Sequence, residues 1–152
     1  IEFINKEEFL YHQKRFNVEY GDILFSKWGT IAQAKFVNTK KKFIASCAIA
    51  LIKPDKKIVN PLFLTYVLNS QQTKRQLWAV SKTSTRTEFH IGHIKKLKIP
   101  VPHLAEQQNI VKILRTIDEK LQLERIGKAR LERIKRGLMD LLLTGKIRVK
   151  VS

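Results

Sequence analysis

Short apolar runs separated by turn residues characterise the first two thirds of the chain. Residues 23–25 are apolar, follow a Tyr-Gly-Asp turn and predict a short strand. Residues 43–52 carry no charge, and only Ser46 interrupts their apolar pattern. This run is rich in β-branched and aromatic residues, so it predicts a buried central strand. Cys47 within it is expected to be a small buried hydrophobe.

Helix signals alternate with these strand signals. Asn60 is a good N-cap and Pro61 suits the first helical position, so a helix is predicted to begin there. These elements predict an α+β fold with a small mixed α/β head over residues 1–103, expected to be incomplete at its amino terminus. Other short helices are predicted near residues 6–15, 72–80 and 91–97.

The last third of the chain predicts one long helix of the coiled-coil type. Residues 104–144 contain no proline and would extend roughly 60 Å. Gly145 is expected to close the helix in a left-handed conformation, which gives a helical segment over residues 104–145 and a tail over residues 146–152. The predicted interface with a partner helix consists of Ile110, Leu114, Ile117, Leu121, Leu131, Ile134, Leu138 and Leu141.

The apolar spacing of this helix fails between its two halves. Glu124, Gly127 and Lys128 interrupt it, so the interface changes register or loosens at that point. The apolar positions also continue further along the helix than the head can cover. The helix is therefore expected to pair with a partner helix.

Charge changes this picture most. The chain has 30 Lys and Arg against 13 Asp and Glu, a net charge of +17, which favours a polyanionic partner. No apolar run approaches the roughly 20 residues that cross a bilayer, and no signal peptide is visible. A cytoplasmic nucleic-acid-binding protein is therefore predicted, with no membrane partner. A single cysteine excludes an internal disulfide framework.

Two basic loops are the candidates for contact with DNA. Hydroxyl groups can donate to or accept from base edges, and an arginine can bind guanine with two hydrogen bonds. The alternative is that both loops are simply solvated. The predicted DNA-binding residues are Lys27, Lys40, Lys41, Lys42, Lys82, Ser84, Thr85 and Arg86.

No catalytic, metal or cofactor site is predicted. His90 and His93 could share a helical face, but no third ligand accompanies them and adjacent lysines would repel a cation. They are therefore interpreted as surface histidines. The sequence Asn-Pro-Leu-Phe at 60–63 superficially resembles the base-gripping loop of adenine methyltransferases, but the second proline is missing and a helix cap is the better interpretation.

Several motifs together resemble a known family over nearly the whole chain. They are Gly-Asp-Ile-Leu at 21–24 with Gly29, Thr-Ser-Thr at 83–85, and above all Leu-Lys-Ile-Pro-Val-Pro-His-Leu-Ala-Glu-Gln-Gln at 97–108. Gly-Leu-Met at 137–139 and Leu-Thr-Gly-Lys at 143–146 close the pattern. The chain resembles the DNA specificity subunits of type I restriction–modification systems.

The resemblance implies a function without catalysis. A target recognition domain inserts loops into the major groove and reads half of a bipartite site in double-stranded DNA. Paired long helices separate two such domains and dock the modification (methyltransferase) subunits, and through them the restriction subunit. One head and one helix suggest half a subunit, which would pair as a homodimer or with the second half of the same subunit.

Two other functions compete with this interpretation. The chain could be a helical protein-interaction scaffold whose basic charge is incidental. A small nuclease is the third possibility, suggested by scattered carboxylates such as Asp55 and Asp118, although a helical Asp118 does not suit such a site.

Overall fold

The computed structural model of the protein describes residues 5–28, 32–81 and 89–150. Within these ranges, three antiparallel strands form one sheet in the order β2-β1-β3. The α+β class and the long carboxyl-terminal helix are confirmed. In chain order the elements are α1 (Lys6–Arg15), β1 (Ile23–Ser26), β2 (Ala34–Phe36), β3 (Ile49–Ile52), α2 (Pro61–Asn69), α3 (Gln71–Ser81), α4 (Ile91–Lys95) and α5 (Leu104–Leu143).

The centre of the sheet is β1. Its residues alternate between full and partial burial, with Ile23 and Phe25 completely enclosed. Ile23 lies opposite Phe36 of β2 on one side and opposite Ile52 of β3 on the other. The apolar run at 23–25 therefore forms the predicted strand, and pairing on both sides explains its burial.

The prediction of a long central strand over residues 43–52 is wrong. Only β3 is extended, and it lies at the edge of the sheet beside an apolar groove of about 660 Å³. Ser46 forms a turn just before it, because its carbonyl accepts from the Ile49 N–H (2.9 Å) and its hydroxyl from the Ala48 N–H (3.3 Å). A serine hydroxyl competes in this way with strand pairing. Cys47 lies in this turn and is exposed, not buried.

Two helices begin at asparagine N-caps, and the cap at Asn60 is the predicted one. The Asn5 side chain accepts a hydrogen bond from the Glu8 N–H at 2.7 Å. The Asn60 side chain accepts from the N–H groups of Leu62 (2.9 Å) and Phe63 (3.2 Å). Both side chains satisfy amides that have no partner within the first helical turn.

The core of the head draws on the sheet, three helices and the segment before α4. The chain divides into two compact units, Ile1–Val111 and Lys112–Ser152, so the first two turns of α5 belong to the first unit. Val111 from these turns is buried in the core, and Ile110 packs against it. The buried core around Phe25 includes Phe63, Leu64, Leu68, Leu77 and Phe89.

The carboxyl end of α5 has the left-handed geometry that the sequence predicts. Gly145 has a φ of +72°, and its N–H donates to the carbonyl of Leu142 at 3.3 Å. A residue with a side chain would be strained in this conformation.

Candidate nucleic-acid interface

Three segments of the head meet where β1 ends. The Lys27 N–H donates to the carbonyl of Ala48 at 2.8 Å, and the Lys27 carbonyl accepts from the Phe89 N–H at 3.2 Å. We refer to Lys27, Ala48 and Phe89 as the Lys27 end of the sheet. These backbone hydrogen bonds fix the positions of the three residues relative to one another.

The predicted DNA-binding residues belong to segments that join this end of the sheet. Lys27 is part of it and is half-buried. The connection from β2 to β3 ends at Ala48 and carries three exposed lysines. Lys82, Ser84, Thr85 and Arg86 lie outside the described residues, and their segment rejoins the described chain at Phe89. The exposed lysines of the first connection are Lys40, Lys41 and Lys42.

Two tryptophans add apolar surface near Lys27. Trp28 follows it directly and is 48% exposed. Trp78 packs edge-to-face on the buried ring of Phe89, with 5.7 Å between ring centroids, yet 46% of its surface is exposed. Trp78 therefore packs against the core with one side and leaves the other side accessible.

The opposite end of the sheet contains acidic groups. Asp22 is almost fully buried and accepts hydrogen bonds from the Glu19 N–H (2.8 Å) and the Lys53 ammonium (3.0 Å). The same ammonium lies 3.2 Å from Glu19. Gly21, with a φ of +95°, makes the turn that brings Asp22 into position. Lys53 is therefore neutralised within the head.

Two opposing effects act on Lys53. Partial burial by itself would lower the pKa of its ammonium, but the hydrogen bonds and charges of Asp22 and Glu19 outweigh this and raise the pKa above its ordinary value. The cation is held in its charged form, tied to carboxylates at the end of the sheet away from Lys27.

The acidic and basic residues are segregated along the sequence as well. Residues 23–54 contain six lysines and no aspartate or glutamate. Glu19, Asp22 and Asp55 flank this stretch on either side, where β1 begins and β3 ends. The charge of the head is therefore uneven, and cations predominate in the segments that lead to Lys27.

The two histidines before and within α4 lie near each other, with 5.5 Å between the ring centroids of His90 and His93. His90 is exposed and His93 half-buried. Over the residues that the structure describes, no three His, Cys, Asp or Glu side chains come close enough together to hold a metal ion. Likewise, no helix in the described ranges is long and apolar enough to cross a membrane.

The predicted helix interface divides between the two compact units. Ile110 packs against the core of the head, and Leu141 is half-buried. Among the predicted interface positions, the exposed ones therefore begin at Leu114. The exposed members are Leu114 (36%), Ile117 (50%), Leu121 (48%), Leu131 (67%), Ile134 (48%) and Leu138 (50%).

Gln107 is a structurally important residue that the sequence did not single out. It is completely buried, and its side-chain oxygen accepts from the Asn60 N–H at 2.7 Å. Its amide nitrogen donates to the carbonyls of Ile58 (3.1 Å) and Pro102 (2.7 Å). The first turn of α5 is thereby fastened to the start of α2. The only available signal was its place in the motif at 97–108.

Comparisons with known proteins agree on one family. The chain is 36% identical over 92 residues to the Type I restriction enzyme MjaVIII specificity subunit of Methanocaldococcus jannaschii, an alignment that covers 60% of this chain and 22% of that protein. It is 32% identical over 99 residues to the Type I restriction enzyme EcoBI specificity subunit of Escherichia coli, covering 65% of this chain and 21% of that protein. The chain thus spans about a fifth of the length of these relatives.

Solved structures share the fold. The HsdS subunit from Thermoanaerobacter tengcongensis superposes with a TM-score of 0.63 at 22% identity, over 80% of this chain and 32% of that one. A chain from a structure that describes complex assembly and conformational transition of the type I R-M system gives a TM-score of 0.69 at 19% identity, over 89% and 36% of the two chains. A family profile described as type I restriction modification DNA specificity domain matches residues 1–133. The chain belongs to the family of type I restriction–modification DNA specificity domains.

Proposed function

We propose that this protein recognises double-stranded DNA as all or half of the specificity component of a type I restriction–modification system. It performs no catalysis and directs methylation and cleavage by partner subunits. The observation that carries the proposal is the meeting of three segments at the Lys27 end of the sheet. The described members of the predicted DNA-binding set, Lys27 and the lysines at 40–42, belong to two of these segments, and the acidic groups lie at the other end.

The basic residues have two roles in this proposal. Lys27 and the lysines at 40–42 neutralise phosphates, which gives affinity and register but no sequence information. Ser84, Thr85 and Arg86 contact base edges in the major groove. Recognition of one half-site by one head follows, and a complete site requires a second head.

The long helix supplies the protein contacts. Its exposed apolar face in the second compact unit pairs with the helix of a second copy or of a second half-subunit. The paired helices dock modification subunits, and the restriction subunit binds through them. The exposed face also supports the rival function of a protein-interaction scaffold, but such a scaffold would show no preference for one DNA sequence over another.

Binding isotherms test the proposal. The assembled methyltransferase is titrated with selected and scrambled duplexes at several salt concentrations. Arg86→Ala should reduce affinity for the selected duplex by about 1–3 kcal/mol if this side chain binds a guanine edge. Lys42→Ala should weaken binding to both duplexes alike and reduce the salt slope by about one unit.

The control is Lys57→Ala, which removes an exposed cation near Asp55 at the acidic end of the sheet. It should leave both isotherms unchanged. If Arg86→Ala and Lys42→Ala also change neither isotherm, the Lys27 end does not face DNA and the proposed interface is wrong.

A further inference from the structure

Between residues 120 and 139, one side of α5 carries arginines and no carboxylate. At 3.6 residues per turn, these arginines fall within about 140° of the helix circumference. Leu121, Leu131 and Leu138 of the predicted helix interface lie outside this sector, so the two sets of residues occupy different sides of the helix. We refer to the four arginines as the arginine face: Arg125, Arg130, Arg133 and Arg136.

Three of these cations have no carboxylate within reach on their own helix. Side chains contact each other along a helix at spacings of three and four residues. At those spacings on both sides of Arg125, Arg130 and Arg133, every residue is apolar, small, basic or an amide. Over the part of the chain that the structure describes, no carboxylate lies within ion-pair distance of the arginine face. The charge of these three arginines is therefore not compensated within α5.

Other cations of α5 follow a different pattern. Arg115 lies 3.5 Å from Glu119, and Lys128 lies 3.9 Å from Glu132, each at a spacing of four residues. A solvated helix surface usually mixes both signs of charge in such pairs. The arginine face instead has three members at successive steps of three residues, where like charges repel. An anion bound from outside the helix would relieve this repulsion.

The composition of the arginine face suits a phosphate backbone better than an acidic protein surface. Arginine binds a phosphate with two parallel hydrogen bonds. Ala129 and Gly137 lie one turn before and one turn after Arg133, and a side chain at Gly137 would meet no neighbouring atom within 4 Å, which leaves room around the guanidinium. Protein interfaces have an apolar centre, whereas Ile126 is the only large apolar residue in this sector between residues 120 and 139.

We propose that the arginine face binds the sugar–phosphate backbone of duplex DNA without reading its sequence. The inference rests on the proposed function and adds a DNA contact outside the head. Arg125 and Arg136 are roughly 16 Å apart along the helix axis, and duplex DNA carries one negative charge about every 1.7 Å, so several phosphates lie within this length. Because the interface leucines occupy another side, α5 can pair with a partner helix and bind DNA at the same time.

The salt dependence of binding tests this contact in the whole protein. Arg130→Gln combined with Arg133→Gln should weaken binding to every duplex alike and make the log–log salt slope shallower by about 1.8, because each lost phosphate contact removes about 0.9. The matched control is Lys120→Gln combined with Lys135→Gln, which removes the same charge from the same helix outside the arginine face. Its slope should change much less. Equal slopes for the two double variants, at equal helix content by circular dichroism, would overturn the proposal.

Phosphate ethylation locates the contact in the assembled methyltransferase. On the selected duplex, ethylation of some phosphates outside the two half-sites should interfere with binding of the original protein. The same modifications should have little effect on the Arg130→Gln, Arg133→Gln protein, because the partner of those phosphates is already absent. Interference confined to the half-sites in the original protein would contradict a backbone contact by α5.

Assembly with the modification subunit, measured without DNA, separates DNA from an acidic protein surface as the occupant. The arginine double variant should assemble as well as the original protein. Lost assembly with an unchanged salt slope would assign the arginine face to a protein partner and overturn the proposal. If the double variant leaves the salt slope unchanged while Arg86→Ala and Lys42→Ala alter the isotherms, this inference fails and the proposed interface of the head stands.

Discussion

Primary amide side chains hold segments of the head together by reproducing the hydrogen-bond pattern of a peptide. Asn69 at the end of α2 exchanges two hydrogen bonds with the backbone of Ala34 in β2, at 2.9 and 2.8 Å. Gln76 does the same with the backbone of Lys98, at 2.9 Å in both directions. Gln107 uses the same chemistry in a fully buried site, where a lost partner is most costly.

Replacing Gln107 by leucine should therefore destabilise the head. The change preserves approximate size but removes the hydrogen-bond partner of the Asn60 N–H at a part-buried site, and an orphaned group of this kind costs about 1–3 kcal/mol. We expect the free energy of unfolding to fall by at least about 2 kcal/mol in urea denaturation. Gln108→Leu, at the exposed neighbouring position, is the control. Equal stability of the two variants would contradict a stabilising role of the Gln107 hydrogen bonds.

Lys53 should make the stability of the head depend on alkaline pH. Its pKa is raised in the folded state, so its contribution is fully present below the unfolded value of about 10.4 and is lost as pH rises through the higher folded value. Lys53→Met should be less stable than the original protein at neutral pH, and this difference should narrow above roughly pH 10.4. Denaturation midpoints over this range, with Lys57→Met as control, measure it. A constant difference would rule out the linkage.

At the scale of elements, local chemistry was predicted well and long-range pairing was not. The N-cap at Asn60 and the left-handed turn at Gly145 that follows α5 depend on neighbouring residues only, so the sequence contains the necessary information. The centre of the sheet depends on which strands pair with β1, and apolar periodicity does not encode this. Gln107 could not be singled out from its exposed neighbour Gln108, because its partners lie 47 and 49 residues away.

The exposed face of α5 should control association without supporting the head. Leu131→Asp combined with Leu138→Asp places carboxylates on this face, so we expect self-association, or binding to a modification subunit, to be lost. Leu123→Asp is the control, because Leu123 is 68% exposed and lies outside the predicted helix interface, and it should have little effect.

Both tryptophans of the chain, Trp28 and Trp78, lie in the first compact unit, so their fluorescence reports on the head alone. The emission spectrum and its melting transition should be the same for the Leu131→Asp, Leu138→Asp protein as for the original. Undiminished association of that variant would show that this face is not the interface.

The whole molecule carries its positive charge in both compact units. The isolated protein should therefore bind duplex DNA weakly and with little sequence preference, because electrostatic attraction carries no sequence information and one head makes few base contacts. The logarithm of the binding constant should fall with the logarithm of salt concentration with a slope of about −0.9 for each phosphate neutralised. Tight selective binding by a monomer would contradict this expectation.

The buried position of Gln107 also determines where recognition heads can be exchanged between related proteins. A chimera joined after residue 103 separates Gln107 from the Asn60 and Ile58 backbone groups that it binds, and a foreign first turn of α5 must then supply the same amide. A junction after Val111 keeps Gln107 and its hydrogen-bond partners from the same protein, together with the buried Val111. Exchange of recognition heads should therefore be tolerated after residue 103 when the incoming helix has glutamine at this position. Otherwise the junction should lie beyond the second turn of α5.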